Sequence, residues 1–162
     1  MAAQEQAIRT NYIKHHIDKS RDSPTCRMCG EKGETINHII CECSKLAQKE
    51  YKRRHDNVAR IVHWEIYKKY DLPRAEQWYN HKPEGVTENY SIKVLWDFNI
   101  NTDYEIEHRR PDIVVELKSE KECLIIDIAV PGDTRIKQKE QEKIEKYQDL
   151  KREIQGYGGY EK

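Results

Sequence analysis

A single phenylalanine, two methionines and an apolar fraction of 36% leave this 162-residue chain short of core-building side chains. With a mean hydropathy of −1.02, it is expected to fold around a small core under a highly polar surface. The length suits one domain or two small ones. No apolar run is long enough to span a membrane, and the opening MAAQEQAIRT lacks the apolar centre of a secretory signal, so no membrane partner is expected. Internal repeats are absent, and so is any excess of charge: Lys plus Arg and Asp plus Glu both total 29.

That balance would argue against a nucleic-acid binder, but the charges are not evenly spread. From Lys45 to Lys69 eight basic residues face three acidic ones, a local net charge of +5. From Asp97 to Asp127 nine acidic residues face four basic ones, a local net charge of −5. A basic segment followed by an acidic one suits a protein that grips phosphates with one part and holds a cation with another. The plainer alternative is two solvated surfaces. The cysteines are five, an odd number, and four of them fall within residues 26–43. Tight clustering and an odd total read as reduced thiols binding metal, not as a disulfide framework, and imply a reducing compartment.

Along the chain, Ile8, Tyr12, Ile13 and Ile17 lie at helical spacing and predict a helical arm over residues 1–23. The cysteine cluster follows over 24–44. Leu46, Val58, Ile61, Val62 and Ile66 predict one or two basic helices within a linker over 45–85, and DLPRAEQWYN a further short helix with Pro73 near its first turn. The period then changes. SIKVLWDFNI, RRPDIVVEL and CLIIDIAV read as three strands in a compact unit over 90–154. PGD closes the third strand, Asp133 or Thr134 caps a helix reaching about Ile154, and residues 155–162 are expected to be disordered.

The spacing Cys26-x2-Cys29-x8-His38-x4-Cys43 supplies the ligands of a tetrahedral zinc site. Gly30 permits the turn that brings amides to the sulfurs. Cys41 competes for the fourth place because a three-residue step puts it on the helical face of His38. Cys43 suits a ligand just past the helix end and is preferred. Four protein ligands leave no open position, so this zinc would be structural.

Asp127 interrupts the most aliphatic stretch of the chain, CLIIDIAV. A buried carboxylate is costly unless a cation or good donors meet it; otherwise Asp127 marks a strand end that reaches water. Asp112 precedes a second aliphatic run, Ile113 to Val115. Two adjacent strands each presenting one Asp can hold Mg²⁺, which prefers oxygen ligands. On the following helix, Ile136, Tyr147, Leu150 and Ile154 fall within roughly 40° of Lys143, placing this lysine at the centre of the expected packing face. It is either snorkelling or aimed at something negative. Two acids, a divalent metal and a lysine suit phosphodiester hydrolysis.

Asp112 and Asp127, in RPD-x14-D, resemble the PD-(D/E)xK pattern of restriction-enzyme-like endonucleases. A CCHC knuckle upstream of it resembles the C-terminal region of site-specific non-LTR retrotransposon polyproteins, whose endonuclease follows the reverse transcriptase. The resemblance runs from about Tyr12 to Ile154. It implies an α+β fold with a zinc knuckle, a basic helical linker and a βββα endonuclease-like core, without the further strand that this fold normally carries after its helix. It implies a Mg²⁺-dependent hydrolase nicking target DNA in the nucleus so that an upstream reverse transcriptase primes on the released end, with element RNA as a second partner. Ala129 stands where an ordinary member of the pattern carries its lysine. In the retrotransposon group that lysine lies on the following helix, a few residues before a Lys-Tyr pair, here Lys146-Tyr147, which again selects Lys143. The resemblance also implies nucleic-acid contacts for Lys52, Arg53, Arg54 and Arg60, with Arg110, Lys139, Lys146 and Tyr147 as secondary candidates. The alternative is a zinc-dependent nucleic-acid-binding fragment of such an element with a decayed nuclease.

Overall fold

The computed structural model describes residues 8–132 and 135–158, which form two compact units. One comprises residues 8–54 with 130–132 and 135, the other residues 55–129 with 136–158. The stretch expected as a linker over 45–85 is therefore divided between them. The fold is α+β. It contains helices α1 (Asn11–His16), α2 (Ser44–Leu46), α3 (Lys52–Lys69), α4 (Ile136–Lys146) and α5 (Gln148–Gly158), and strands β1 (Val86–Glu88), β2 (Ile92–Trp96), β3 (Ile113–Leu117) and β4 (Glu122–Ile126).

In the first unit, polar residues are buried where apolar ones were expected. Helix α1 covers only six residues, and Ile8, Tyr12 and Ile17 are exposed. Its N-cap Thr10 and its first residue Asn11 are the buried ones. The cause is Glu34, whose fully buried carboxylate accepts the Asn11 N–H at 2.9 Å, the Arg27 N–H at 2.9 Å and two bonds from the Arg27 guanidinium. Burial alone would raise the Glu34 carboxyl; these donors hold it at about 2. Asn11 also donates to the Thr25 carbonyl, tying the arm to the knuckle loop. A Cβ on Gly132 would lie 2.9 Å from Asn37 Oδ1 and 3.2 Å from Cys41 Sγ, so only glycine fits that turn without a shift.

The second unit is built on an antiparallel meander in the order β1-β2-β3-β4. Alternation along β2 and β3 turns Ile92, Val94, Ile113, Val115 and Leu117 to one face, where Tyr67 and Leu72 complete the core. Helix α3 meets that face with a stripe at four-residue spacing, Ala59, His63 and Tyr67, flanked by Val62 and Ile66. Past Tyr70, Asp71 takes φ +51° and ends the helix. The helix expected over DLPRAEQWYN is a single 3₁₀ turn, Trp78–Asn80, since the Trp64 indole N–H binds the Ala75 carbonyl and holds the preceding segment extended.

The third expected strand is shorter than its aliphatic run. Strand β4 stops at Ile126 because the Ile128 N–H donates to Asp112 Oδ2 at 2.6 Å and does not continue the ladder. The long helix is interrupted at Tyr147, and Ile136, expected on its packing face, is 53% exposed. Tyr147 and Leu150, expected on the same face, are buried, and so is Glu153. Residues 155–158, expected to be disordered, continue α5, and no strand follows α4 among the described residues. The expected caps Asp133 and Thr134, and the rest of the tail, lie outside those residues.

A fully buried His63 packs on Trp96 and Tyr67, with Nδ1 2.9 Å from Nε2 of His81. Burial lowers His63 to about 3, with His81 adding repulsion, and burial lowers His81 as well. Both rings are therefore neutral in the folded state near neutral pH. A base with a depressed folded value stabilises the fold above its unfolded value of about 6.5 and loses that contribution as pH falls toward 3. The melting temperature of the sheet unit should thus fall as pH drops below about 6.5, and His63→Gln should flatten that dependence at some cost in stability at pH 7. A thermal denaturation series over pH in both proteins measures this.

Candidate metal centre and acidic site

Cys26, Cys29, His38 and Cys43 bring one ligand atom each to within 4.8 Å of the others, a group that could hold a metal ion. Cys26 Sγ lies 4.0 Å from Cys43 Sγ, and Cys29 Sγ lies 3.3 Å from His38 Nε2. Zn–S bonds near 2.3 Å and Zn–N bonds near 2.0 Å in a tetrahedron imply separations of about 3.8 and 3.5 Å. The donor set is thus compatible with structural zinc. Gly30 takes φ +72°, the left-handed turn expected of it, and the amides of Met28 and Glu31 point at the sulfurs of Cys26 and Cys29. The Glu31 amide, against the opposing effect of burial, lowers the Cys29 thiol to about 7; burial raises that of Cys26.

The fourth ligand position goes to Cys43, and the reason is a widened helix. Residues His38–Glu42 form a π-turn, with the Cys43 N–H donating to the His38 carbonyl at 2.8 Å. Five residues of α-helix would separate the two side chains by about 140°; the wider turn brings them onto one side. Cys41 points elsewhere, against the Gly132 turn. Tyr51, which sequence reasoning missed, braces this turn: its hydroxyl donates toward the His38 and Ile39 carbonyls and accepts the Cys43 N–H. Arg54 donates to the Ile40 carbonyl at 2.8 Å and lies over the Tyr51 ring. That guanidinium is committed to the turn, whereas Lys52 and Arg53 are exposed and Arg60 is half-buried.

In the second unit, extending the β3–β4 register one step beyond Ile113 and Ile126 sets Asp112 opposite Asp127. Asp127 lies just past the strand end yet is only 8% exposed. Lys143 of α4 pairs with Oδ2, Lys146 approaches the same oxygen at 3.8 Å, and Tyr147 donates to Oδ1 at 2.9 Å. Burial, then the hydrogen bond to Asp127, raises the Tyr147 hydroxyl well above its ordinary value. The carboxylate within the aliphatic run is therefore met by cations and a donor, as its burial requires.

Asp112 accepts the Ile128 N–H at Oδ2, with His55 Nε2 3.3 Å from the same oxygen. His55 was not anticipated; its only sequence signal is the adjacent Asp56, whose Oδ1 lies 3.1 Å from Nδ1. Two secondary candidates are engaged elsewhere. Arg110 forks onto Asp97 with two bonds of 2.8 Å, and Lys139 pairs with Glu142.

Among the described residues of the first unit, the buried ones are Thr10, Asn11, Cys26, Glu34, His38 and Cys43, with no aliphatic side chain among them. Hydrophobic burial cannot hold such a unit, whereas structural zinc contributes on the order of 10 kcal/mol. Chelation, or Cys29→Ser, should expose the amides of residues 24–44 to solvent exchange and leave those of β2 and β3 protected. Hydrogen exchange read by mass spectrometry checks this; unchanged exchange at 24–44 after chelation would rule out a metal-held knuckle.

Comparison of the chain with protein-family models, curated proteins and solved structures found no match to any, so the case for its function rests on these side chains.

Proposed function

We propose that the second unit is a metal-dependent DNA endonuclease module, and that the knuckle and the basic stretch after it bind nucleic acid. The reading is carried by one observation: two carboxylates at adjoining strand ends meet a lysine from the following helix. Mg²⁺, held by Asp112 and Asp127, would supply an activated water and polarise the scissile phosphate. Among the described residues, Asp112 Oδ1 is the one of the four carboxylate oxygens with no protein donor, so it is the first such a cation would meet. Lys143 holds Asp127 in place and sets a positive charge where phosphate charge would develop. Tyr147 fixes the second Asp127 oxygen. Zinc in the knuckle is structural on this reading. The resemblance to non-LTR retrotransposon polyproteins supports target DNA and element RNA as partners and a nuclear nick that primes reverse transcription.

One observation favours a second reading. Three of the four carboxylate oxygens already have protein partners, so the acidic site is satisfied without a metal ion. On that reading the chain is a zinc-dependent nucleic-acid-binding module with an inert acid pair. Nicking of supercoiled plasmid in Mg²⁺ separates the two. The endonuclease reading expects nicking by the parent, none by Asp127→Asn, and a loss of about 10²- to 10³-fold for Lys143→Ala. Asp127→Asn should also cost about 1–3 kcal/mol of stability, since it breaks a charge-assisted bond. A variant that nicks as fast as the parent would overturn this reading, and a parent that neither nicks nor binds Mg²⁺ would favour the second.

Neutralising Lys52 and Arg53 should weaken binding to any DNA sequence and reduce its salt dependence by about two phosphate contacts. Arg54→Gln should instead loosen the knuckle turn, because its guanidinium is held by the Ile40 carbonyl. Titrations at several salt concentrations, paired with zinc-affinity measurements, distinguish the two effects.

A further inference from the structure

We propose that His55 is the positioning residue for Asp112, an assignment that rests on the endonuclease reading. The two carboxylates of the acidic site differ in how they are held. Both oxygens of Asp127 are engaged, by Tyr147 at Oδ1 and by Lys143 at Oδ2. Asp112 is engaged on one side alone: Oδ2 faces the Ile128 N–H at 2.6 Å and His55 Nε2 at 3.3 Å. The Ile128 amide bond and a ring nitrogen close to the same oxygen restrict the swivel of the carboxylate and give its other oxygen a preferred direction. Asp112 Oδ1 thus becomes a preoriented ligand for a hard cation.

The ring that does this is itself held. His55 is the fourth residue of α3, and its Nδ1 lies 3.1 Å from Asp56 Oδ1. A chain of groups results, Asp56 to His55 to Asp112, in which the ring, able to donate at both nitrogens only when protonated, bridges an outer carboxylate and the carboxylate of the acidic site. Outer partners of this kind set the direction and basicity of a metal ligand without touching the metal. His55 faces the oxygen of Asp112 that is already bonded, so it acts through Asp112 and is not itself a ligand. It is partly solvent-accessible, its side chain being 32% exposed, so its removal leaves no large cavity and the fold should survive.

The test uses the full chain loaded with zinc, Mn²⁺ as the divalent probe, and supercoiled plasmid as substrate. His55→Leu should lower Mn²⁺ affinity and nicking rate by about 10- to 100-fold, with the melting temperature nearly unchanged. His55→Gln, whose amide N–H reaches the same oxygen, should recover most of that loss. Asp56→Asn should give a smaller loss in the same direction. A merely structural role predicts the reverse pattern, with melting temperature falling and Mn²⁺ affinity of the folded fraction unaltered. His55→Leu protein that binds Mn²⁺ and nicks as the parent does would overturn the assignment and leave the endonuclease reading standing. A parent that neither nicks nor binds Mn²⁺ would overturn both, and the His55 ring nitrogen resonance, which should move on Asp112→Asn, would then report the contact alone.

Discussion

Asp127 is the constraint around which the second unit is arranged. Its carboxylate follows three aliphatic strand residues, Leu124 to Ile126, and is almost wholly enclosed. Left alone it would neutralise itself or pull the strand end into water. Instead α4 delivers Lys143 and Lys146, and Tyr147 at the helix break delivers a hydroxyl. The break matters to the geometry, because Tyr147 also donates to the Arg110 carbonyl, one residue before the Pro111-Asp112 pair. One side chain thus ties the helix to both strands that carry an acid.

The first unit meets the shortage of apolar residues in a different way. Its interior is a carboxylate in a cage of donors and a cluster of thiols around one imidazole. Neither kind of interior gains much from the hydrophobic effect. Glu34 needs all of its donors, because a buried carboxylate stripped of one partner costs more than the bond itself was worth. The clustered thiols and imidazole form a donor set that a structural zinc would fit. A mean hydropathy of −1.02 is therefore less paradoxical than it looks. The sheet unit takes most of the buried aliphatic residues, and the first unit is organised by a buried carboxylate and a Cys/His cluster able to hold a metal ion.

What could be read from the residues follows from the same division. Spacing alone selected Cys26, Cys29, His38 and Cys43, because ligand chemistry constrains short sequence distances. Period-two alternation located β2 and β3, where both neighbours in the sheet are present. It failed beyond Ile126, since the end of β4 is decided by a side chain sixteen residues away, Asp112, capturing an amide. Helical periodicity found Lys143, Tyr147 and Leu150 but misjudged Ile136, which lies a turn too early to reach the packed part of the helix. It also misread the arm: the buried positions are the N-cap Thr10 and the first residue of α1, Asn11, and no apolar pattern marks a helix held by hydrogen bonds to Glu34. Tyr51 and His55 share that difficulty. Each acts on a partner distant in sequence, and neither stands in a motif.

The choice of lysine over arginine at residue 143 bears on how the acidic site works. An arginine would fork onto both oxygens of Asp127, as Arg110 does onto Asp97. Such a pair is stable, planar and hard to open. Lysine engages one oxygen as a point charge on a flexible stem, leaving the other to Tyr147. Its side chain keeps 30% of its surface exposed, so its head can turn toward an incoming anion while Tyr147 still holds the carboxylate. A wholly structural pair would gain from the fork; a pair that must serve a phosphate and a carboxylate in turn would not. On the endonuclease reading proposed above, the flexible, partly exposed ammonium at this position is suited to a phosphate as well as to a carboxylate.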